Sequence, residues 1–190
     1  ATTQFEPTAA RMAFPCWDEP EFKAVFSISL TTDSELIRIS NEKVLSESSE
    51  NNRTTTKFVD SMRMSTYLVA FVIGPLEVTK IGNSETTEVG IVHRPGFSDQ
   101  TAYAGAAAIK ILDFFEEYYG INYPGSKLDL IAVPDFAMGA MENVGAVTFR
   151  ETLLLIDVEK ATRSELSRSV SVIAHELAHM WFGDLVTMDW

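Results

Sequence analysis

The spacing of apolar positions changes twice along the chain. Between 22 and 30, Phe22, Ala24, Phe26, Ile28 and Leu30 alternate mostly with polar residues, the period of a half-buried strand. Leu36 to Ile39 and Arg53 to Val59 read as two more short strands. The polar run from Ser46 to Asn52 between them reads as a turn or loop tip. From Thr66 to Ile73 nearly every residue is apolar, β-branched or aromatic, which predicts a strand buried on both faces before Gly74-Pro75. Residues 1–20, broken by Pro7, Pro15 and Pro20, read as irregular. The first 75 or so residues are therefore expected to be all-β.

A mixed pattern follows. Weaker strands are predicted at 76–81 and 86–93, then a turn at Arg94-Pro95-Gly96. Ala102, Ala106, Ile109, Leu112 and Phe115 fall at helical spacing, so a helix is predicted from near Ser98 to Tyr119, ended by Gly120. Lys127 to Val133, Val144 to Phe149 and Leu153 to Ile156 read as strands. The last helix is predicted from Thr162, where Thr162 and Glu165 make a capping box, to Gly183. Its buried stripe is Leu166, Val170, Ile173, Leu177 and Trp181.

Composition narrows the function classes. The 190 residues are 46% hydrophobic and 22% charged, ordinary for a globular protein, with a formal net charge of −12. Such a balance argues against nucleic acid as a partner and favours cationic ligands. The single cysteine, Cys16, excludes an internal disulfide framework and reads as a small buried hydrophobe. No apolar run reaches the roughly 18 residues of a membrane span. The opening residues do not read as a signal peptide, and both ends, Trp190 included, read as cut from a longer chain. The compartment is left open, with the cytoplasm favoured.

Chemistry concentrates in two stretches. In His175-Glu176-Leu177-Ala178-His179, two of the three histidines lie four apart with a carboxylate beside the first. On a helix both imidazoles face one way and can share an ion, while Glu176 is placed to act on a bound water. Zinc takes nitrogen ligands at about 2.0–2.1 Å, so two histidines supply half of a tetrahedral set. The apolar flank of Ile173, Ala174, Trp181 and Phe182 makes an unpartnered polar triplet costly there. The second stretch, Ala137 to Gly145, brackets one carboxylate, Glu142, between Gly139 and Gly145. It reads either as a glycine-containing turn or as an edge segment able to pair with an extended peptide. His93, which has no partnered motif, reads as structural, and Asp184 as a solvated helix-end carboxylate or a group orienting a ligand histidine.

Together these stretches resemble the aminopeptidase N family of zinc aminopeptidases, in the gluzincin clan. The resemblance rests on Gly139-Ala140-Met141-Glu142-Asn143, on His175 through Gly183, on Thr3 to Pro20, on Met64 to Phe71 and on Tyr123-Pro124. It is nearest to the puromycin-sensitive and endoplasmic-reticulum branch. It implies an α+β fold in which residues 1–76 are the C-terminal part of a β-saddle domain. Residues 77–190 would be the first half of a thermolysin-like catalytic domain, truncated. It implies one zinc ion held by His175 and His179, and Glu176 as general base for attack by a zinc-bound water. The substrate would be a peptide with a free N-terminus: Glu142 pairs with its ammonium, Glu6 assists, and Gln4 and Met138 line the first side-chain pocket. The backbone of Gly139, Ala140 and Met141, with Asn143 in the same signature, holds the peptide as an added strand.

The resemblance also implies parts beyond this chain. The third ligand would be a glutamate 18 residues past His179, and a stabilising tyrosine would lie further on. Val144 stands where many relatives have tryptophan, and Asp184 where many have asparagine. Two other readings stay open: a catalytically inactive module that binds peptide N-termini or is structural, and a different hydrolysis at the same site, such as epoxide opening.

Overall fold

The structure is a computed structural model that describes residues 1–189; Trp190 lies outside the described residues. Its larger sheet has five strands: β6 (Glu77–Asn83), β7 (Glu88–His93), β8 (Lys127–Val133), β9 (Ala140–Met141) and β10 (Ala146–Arg150), in the spatial order β6-β7-β8-β10-β9. The pairs β7–β8 and β8–β10 are parallel, whereas β6 and β9 run antiparallel to their neighbours. Parallel pairing of β7 and β8 needs a crossover, and α1 (Ala102–Tyr119) supplies it. The alternate apolar positions Val89, Ile91, Leu128 and Leu130 face α1 and a second long helix, α3 (Arg163–His179). Ala104, Ala108 and Leu112 of α1 meet Ile173 and Leu177 of α3 in that core. Full burial of each such Leu or Ile contributes about 1.5–3 kcal/mol.

The N-terminal portion is built from short pieces. A three-stranded antiparallel sheet orders β1 (Ser29–Asp33), β4 (Arg53–Phe58) and β3 (Val44–Glu50). A separate pair joins β2 (Ile37–Ile39) to β5 (Val72–Gly74). Phe5, Ala10, Met64, Tyr67, Leu68 and Val69 form a second core, which Met141 and Val144 enter from the other side. The residues flanking Glu142 are thus anchored in apolar packing contributed by the chain's beginning.

Most sequence-predicted elements are present, among them β2, β4, β6, β7, β8 and α1, and the Thr162–Glu165 capping box is formed. The exceptions have local causes. Residues 46–50 are strand, not loop: Asn51 and Asn52, at φ 51° and 60°, make the turn alone. Every residue of β3 is exposed, so no apolar period marks it, and hydroxyl pairs such as Ser49–Thr54 (2.7 Å) stand in. Residues 66–70 are buried as predicted, but Thr66–Leu68 is a 3-10 turn, and pairing starts only at Val72. Asn41 occupies the backbone there, donating to Leu68 O (2.7 Å) and accepting from the Ala70 N–H (3.0 Å). Between 22 and 28 the chain makes the isolated bridge Ala24 to Met64 and accepts single backbone bonds from Ser61 at Phe26 O (3.0 Å) and from Phe58 at Ile28 O (3.0 Å), and regular pairing begins at Ser29. The strand predicted at 153–156 is replaced by a one-turn helix, α2 (Glu151–Leu154), which turns Leu153 and Leu154 into the core. The last helix ends at His179, not Gly183, where the chain coils tightly.

Candidate metal and substrate site

α3 is started by its capping box: Thr162 Oγ1 accepts from the Glu165 N–H (3.3 Å), and Glu165 Oε2 accepts from the Thr162 N–H (2.8 Å). Ile173 and Leu177 pull one face of the helix into the core, which leaves His175 exposed and Glu176 buried at the boundary. The i, i+4 spacing then does what the sequence predicts. The Nε2 atoms of His175 and His179 lie 3.2 Å apart, with the rings nearly perpendicular. Two nitrogens bound tetrahedrally at about 2.0–2.1 Å from one ion would be separated by about 3.3 Å. The separation of the pair therefore fits one shared zinc ion.

The turn after the helix sets the ring chemistry. His179 Nδ1 is 3.0 Å from Phe182 O, a bond that assigns the proton to Nδ1 and leaves the Nε2 lone pair free for a cation. Gly183, at φ 132°, makes this possible: a Cβ there would come 3.1 Å from His179 Nδ1. Among the described residues no cluster of three His, Cys, Asp or Glu side chains surrounds the point. Two histidine nitrogens face the point, whereas a catalytic zinc site takes three protein ligands.

Glu142 follows β9 and is buried, held between Met141 and Val144. The next turn is tied on two sides: Asn41 Nδ2 donates to Val144 O (2.8 Å), and the Gly145 N–H donates to the Tyr123 hydroxyl (2.9 Å). Glu142, Glu6 and His179 line one cavity of about 250 Å³, together with Tyr67, Phe182 and Met188. Negative charge accumulates around it. Burial pushes the Glu176 carboxyl up to about 8, with Glu142 and Glu6 acting in the same sense. Glu6 is raised by burial and by Glu142, against the lowering effect of His179. Burial and the charge of Glu142 also raise Asp184 well above the carboxylate range. Carboxylates crowded in this way are relieved by cations, either a metal or an ammonium.

The remaining sequence-predicted residues are placed as follows. Ala140 and Met141 form β9, with the Met141 side chain in the core. Gly139 borders a different cavity, of about 340 Å³, with Arg150, Thr152, Glu165 and Arg168. Met138 is half exposed and does not line the cavity around Glu142. Neither does Gln4, whose amide is buried without a partner among the described residues; the Asn143 amide is likewise unpaired among them. His93 is fully buried, with Thr79 Oγ1 and Arg94 O each 2.7 Å from its ring nitrogens, a structural role. Cys16 is half-buried beside the second core. Asp184 is not solvated, and its carboxylate reaches neither histidine; both oxygens are buried without a partner among the described residues. Its backbone N–H donates to His179 O (3.0 Å), while Lys23 Nζ donates to the carbonyls of Asp184 (2.8 Å) and Leu185 (3.2 Å). Sequence reasoning missed Tyr67 and Lys23. A tyrosine inside an otherwise apolar run was the available signal for Tyr67, since a buried phenol needs a polar neighbour. Nothing local marks Lys23.

Comparison with known proteins places the chain. Residues 1–68 match the Peptidase M1 N-terminal domain, and residues 103–190 match the Peptidase family M1 domain. Over its whole length the chain is 50% identical to endoplasmic reticulum aminopeptidase 2 of Homo sapiens. It is 46% identical to aminopeptidase M1 of Arabidopsis thaliana and 46% identical to puromycin-sensitive aminopeptidase of Caenorhabditis elegans. It covers 20%, 22% and 20% of those proteins, so it spans about a fifth of the length of the curated relatives it matches. With both domains of one family matched in order, the chain belongs to the M1 family of peptidases.

Proposed function

We propose that this chain is the portion of a zinc aminopeptidase that carries two metal ligands, the general base and the carboxylates that bind the substrate's amino end. The observation that carries this reading is the shared cavity of Glu6, Glu142 and His179, beside a histidine pair spaced for one ion. Zinc, when bound, would lower the pKa of a water and polarise the scissile carbonyl. His175 and His179 would hold it, the latter oriented by Phe182 O. Glu176, beside His175 on the same turn of α3, takes the proton from the attacking water and passes it to the leaving amine. Glu142 and Glu6 pair with the substrate's α-ammonium, which restricts cleavage to the first peptide bond. The free edge of β9 suits an extended peptide, and on this reading residues 1–76 belong to a β-saddle domain and 77–190 to a thermolysin-like one.

With two protein ligands, the 190-residue chain by itself is expected to bind zinc weakly and turn over little. The test is residue release from a free peptide by the full-length enzyme that carries this segment, with and without a chelator. Stepwise loss from the amino end that stops on chelation and returns with zinc is expected. Internal cleavage, or release that survives chelation, would refute the reading.

A further inference from the structure

Arg150 closes β10 and holds the backbone that leads into β9. Its guanidinium donates from Nε to Phe136 O (3.1 Å) and from Nη2 to Ala137 O (3.0 Å) and Met138 O (3.4 Å). Its own N–H donates to Gly139 O (2.9 Å). Four successive carbonyls are therefore taken by one residue. Little else restrains them. Asp135, at φ 54°, opens the segment; Ala137, Met138 and Gly139 are exposed, and the space beside Gly139 is empty to 4 Å. Only Phe136 packs against the second core.

The strand that follows is two residues long, and among the described residues its outer edge is unpaired in the sheet. A strand so short cannot fix its own approach. Glu142, by contrast, is secured without Arg150, through the burial of Met141 and Val144 and the bonds from Asn41 and Tyr123. We infer that Arg150 is a positioning residue: it fixes 136–139 so that the free edge of β9 meets the backbone of a peptide whose amino end lies at Glu142. This rests on the function proposed above and adds a residue to it. A planar fork that spans three carbonyls has no equivalent in lysine, which offers a single ammonium.

The consequence is selective. A peptide has backbone beyond its first residue to pair with β9, whereas an aminoacyl-anilide has none. In the full-length enzyme, Arg150→Ala is expected to raise KM for a tetrapeptide roughly tenfold or more, the scale of a displaced positioning group. kcat/KM for the anilide with the same first residue should stay within about threefold. Arg150→Lys should show the same split at smaller amplitude, and it carries the test if the alanine variant does not accumulate. Equal losses on both substrates, or no loss on the tetrapeptide in an otherwise active enzyme, would overturn the inference. A wild-type enzyme that cleaves neither substrate would instead remove the functional reading and the role of Arg150 with it.

Discussion

Gly145→Ala tests how the site is held. Gly145 sits at φ 72°, and a Cβ there would lie 1.8 Å from the Asn41 carbonyl oxygen. The left-handed backbone alone costs an alanine about 1–2 kcal/mol. The contact adds to this, because Asn41 cannot retreat freely. Its side chain binds Leu68 O (2.7 Å), Val144 O (2.8 Å) and the Ala70 N–H (3.0 Å), all buried. Leaving even one of those groups unpaired costs about 1–3 kcal/mol, so the total should be at least about 2 kcal/mol. For a chain of this size that is a fall in Tm of at least about 4–8 °C. Gly96→Ala is the control: Gly96 is also at positive φ, 86°, but nothing lies within 4 Å of its Cβ position. Thermal unfolding of the two variants beside the wild type isolates the contact from the dihedral. Equal shifts for both variants would mean that the Asn41 contact carries no cost, and a Gly145→Ala shift under about 2 °C would show this more strongly.

Three further outcomes are expected. Thr162→Ala should lower stability by about 0.5–2 kcal/mol in chemical denaturation, the worth of an N-cap, and a neutral result would mean that the capping box is idle. For Asp18, burial raises the carboxyl, but the hydrogen bonds from Thr66 (2.6 Å) and Arg11 (3.0 and 3.2 Å) outweigh it and leave the pKa lowered. Its stabilisation is thus present above an unfolded value of about 3.9 and lost as pH falls through the folded value. The denaturation gap between wild type and Asp18→Asn should therefore hold from pH 7 to 5 and narrow by pH 3; a gap that widens on acidification would contradict the assignment. Glu176→Gln in the full-length enzyme should cut kcat by roughly 10²–10⁴ with bound zinc retained, as measured by metal analysis and steady-state kinetics.

The chemistry of the site was more legible than its setting. His175 and His179 are read from spacing because helical periodicity fixes their common face, and the 3.2 Å between their Nε2 atoms follows from it. Glu176 and the capping box are local for the same reason. β3 was hidden because a strand exposed on every residue has no apolar period, and the 66–70 segment because a side chain, Asn41, supplies bonds that a neighbouring strand normally makes. α2 was misread because four apolar residues in a row fit a strand or a helical turn equally. The burial of Asp184 and the reach of Lys23, 161 residues away in sequence, are purely tertiary. Arg150 belongs to the same class, since its partners are carbonyls, which no side-chain pattern reveals.

Glu142, beside a histidine-held metal, is proposed to read the amino end of a peptide. The most direct test is the ratio of kcat/KM for a free peptide to that for the same peptide N-acetylated, in wild type and Glu142→Gln. The wild-type enzyme should favour the free peptide by at least about 100-fold, and Glu142→Gln should lose most of that preference through the free peptide alone, since the charge-assisted bond is what it removes. A preference unchanged by Glu142→Gln would contradict the account.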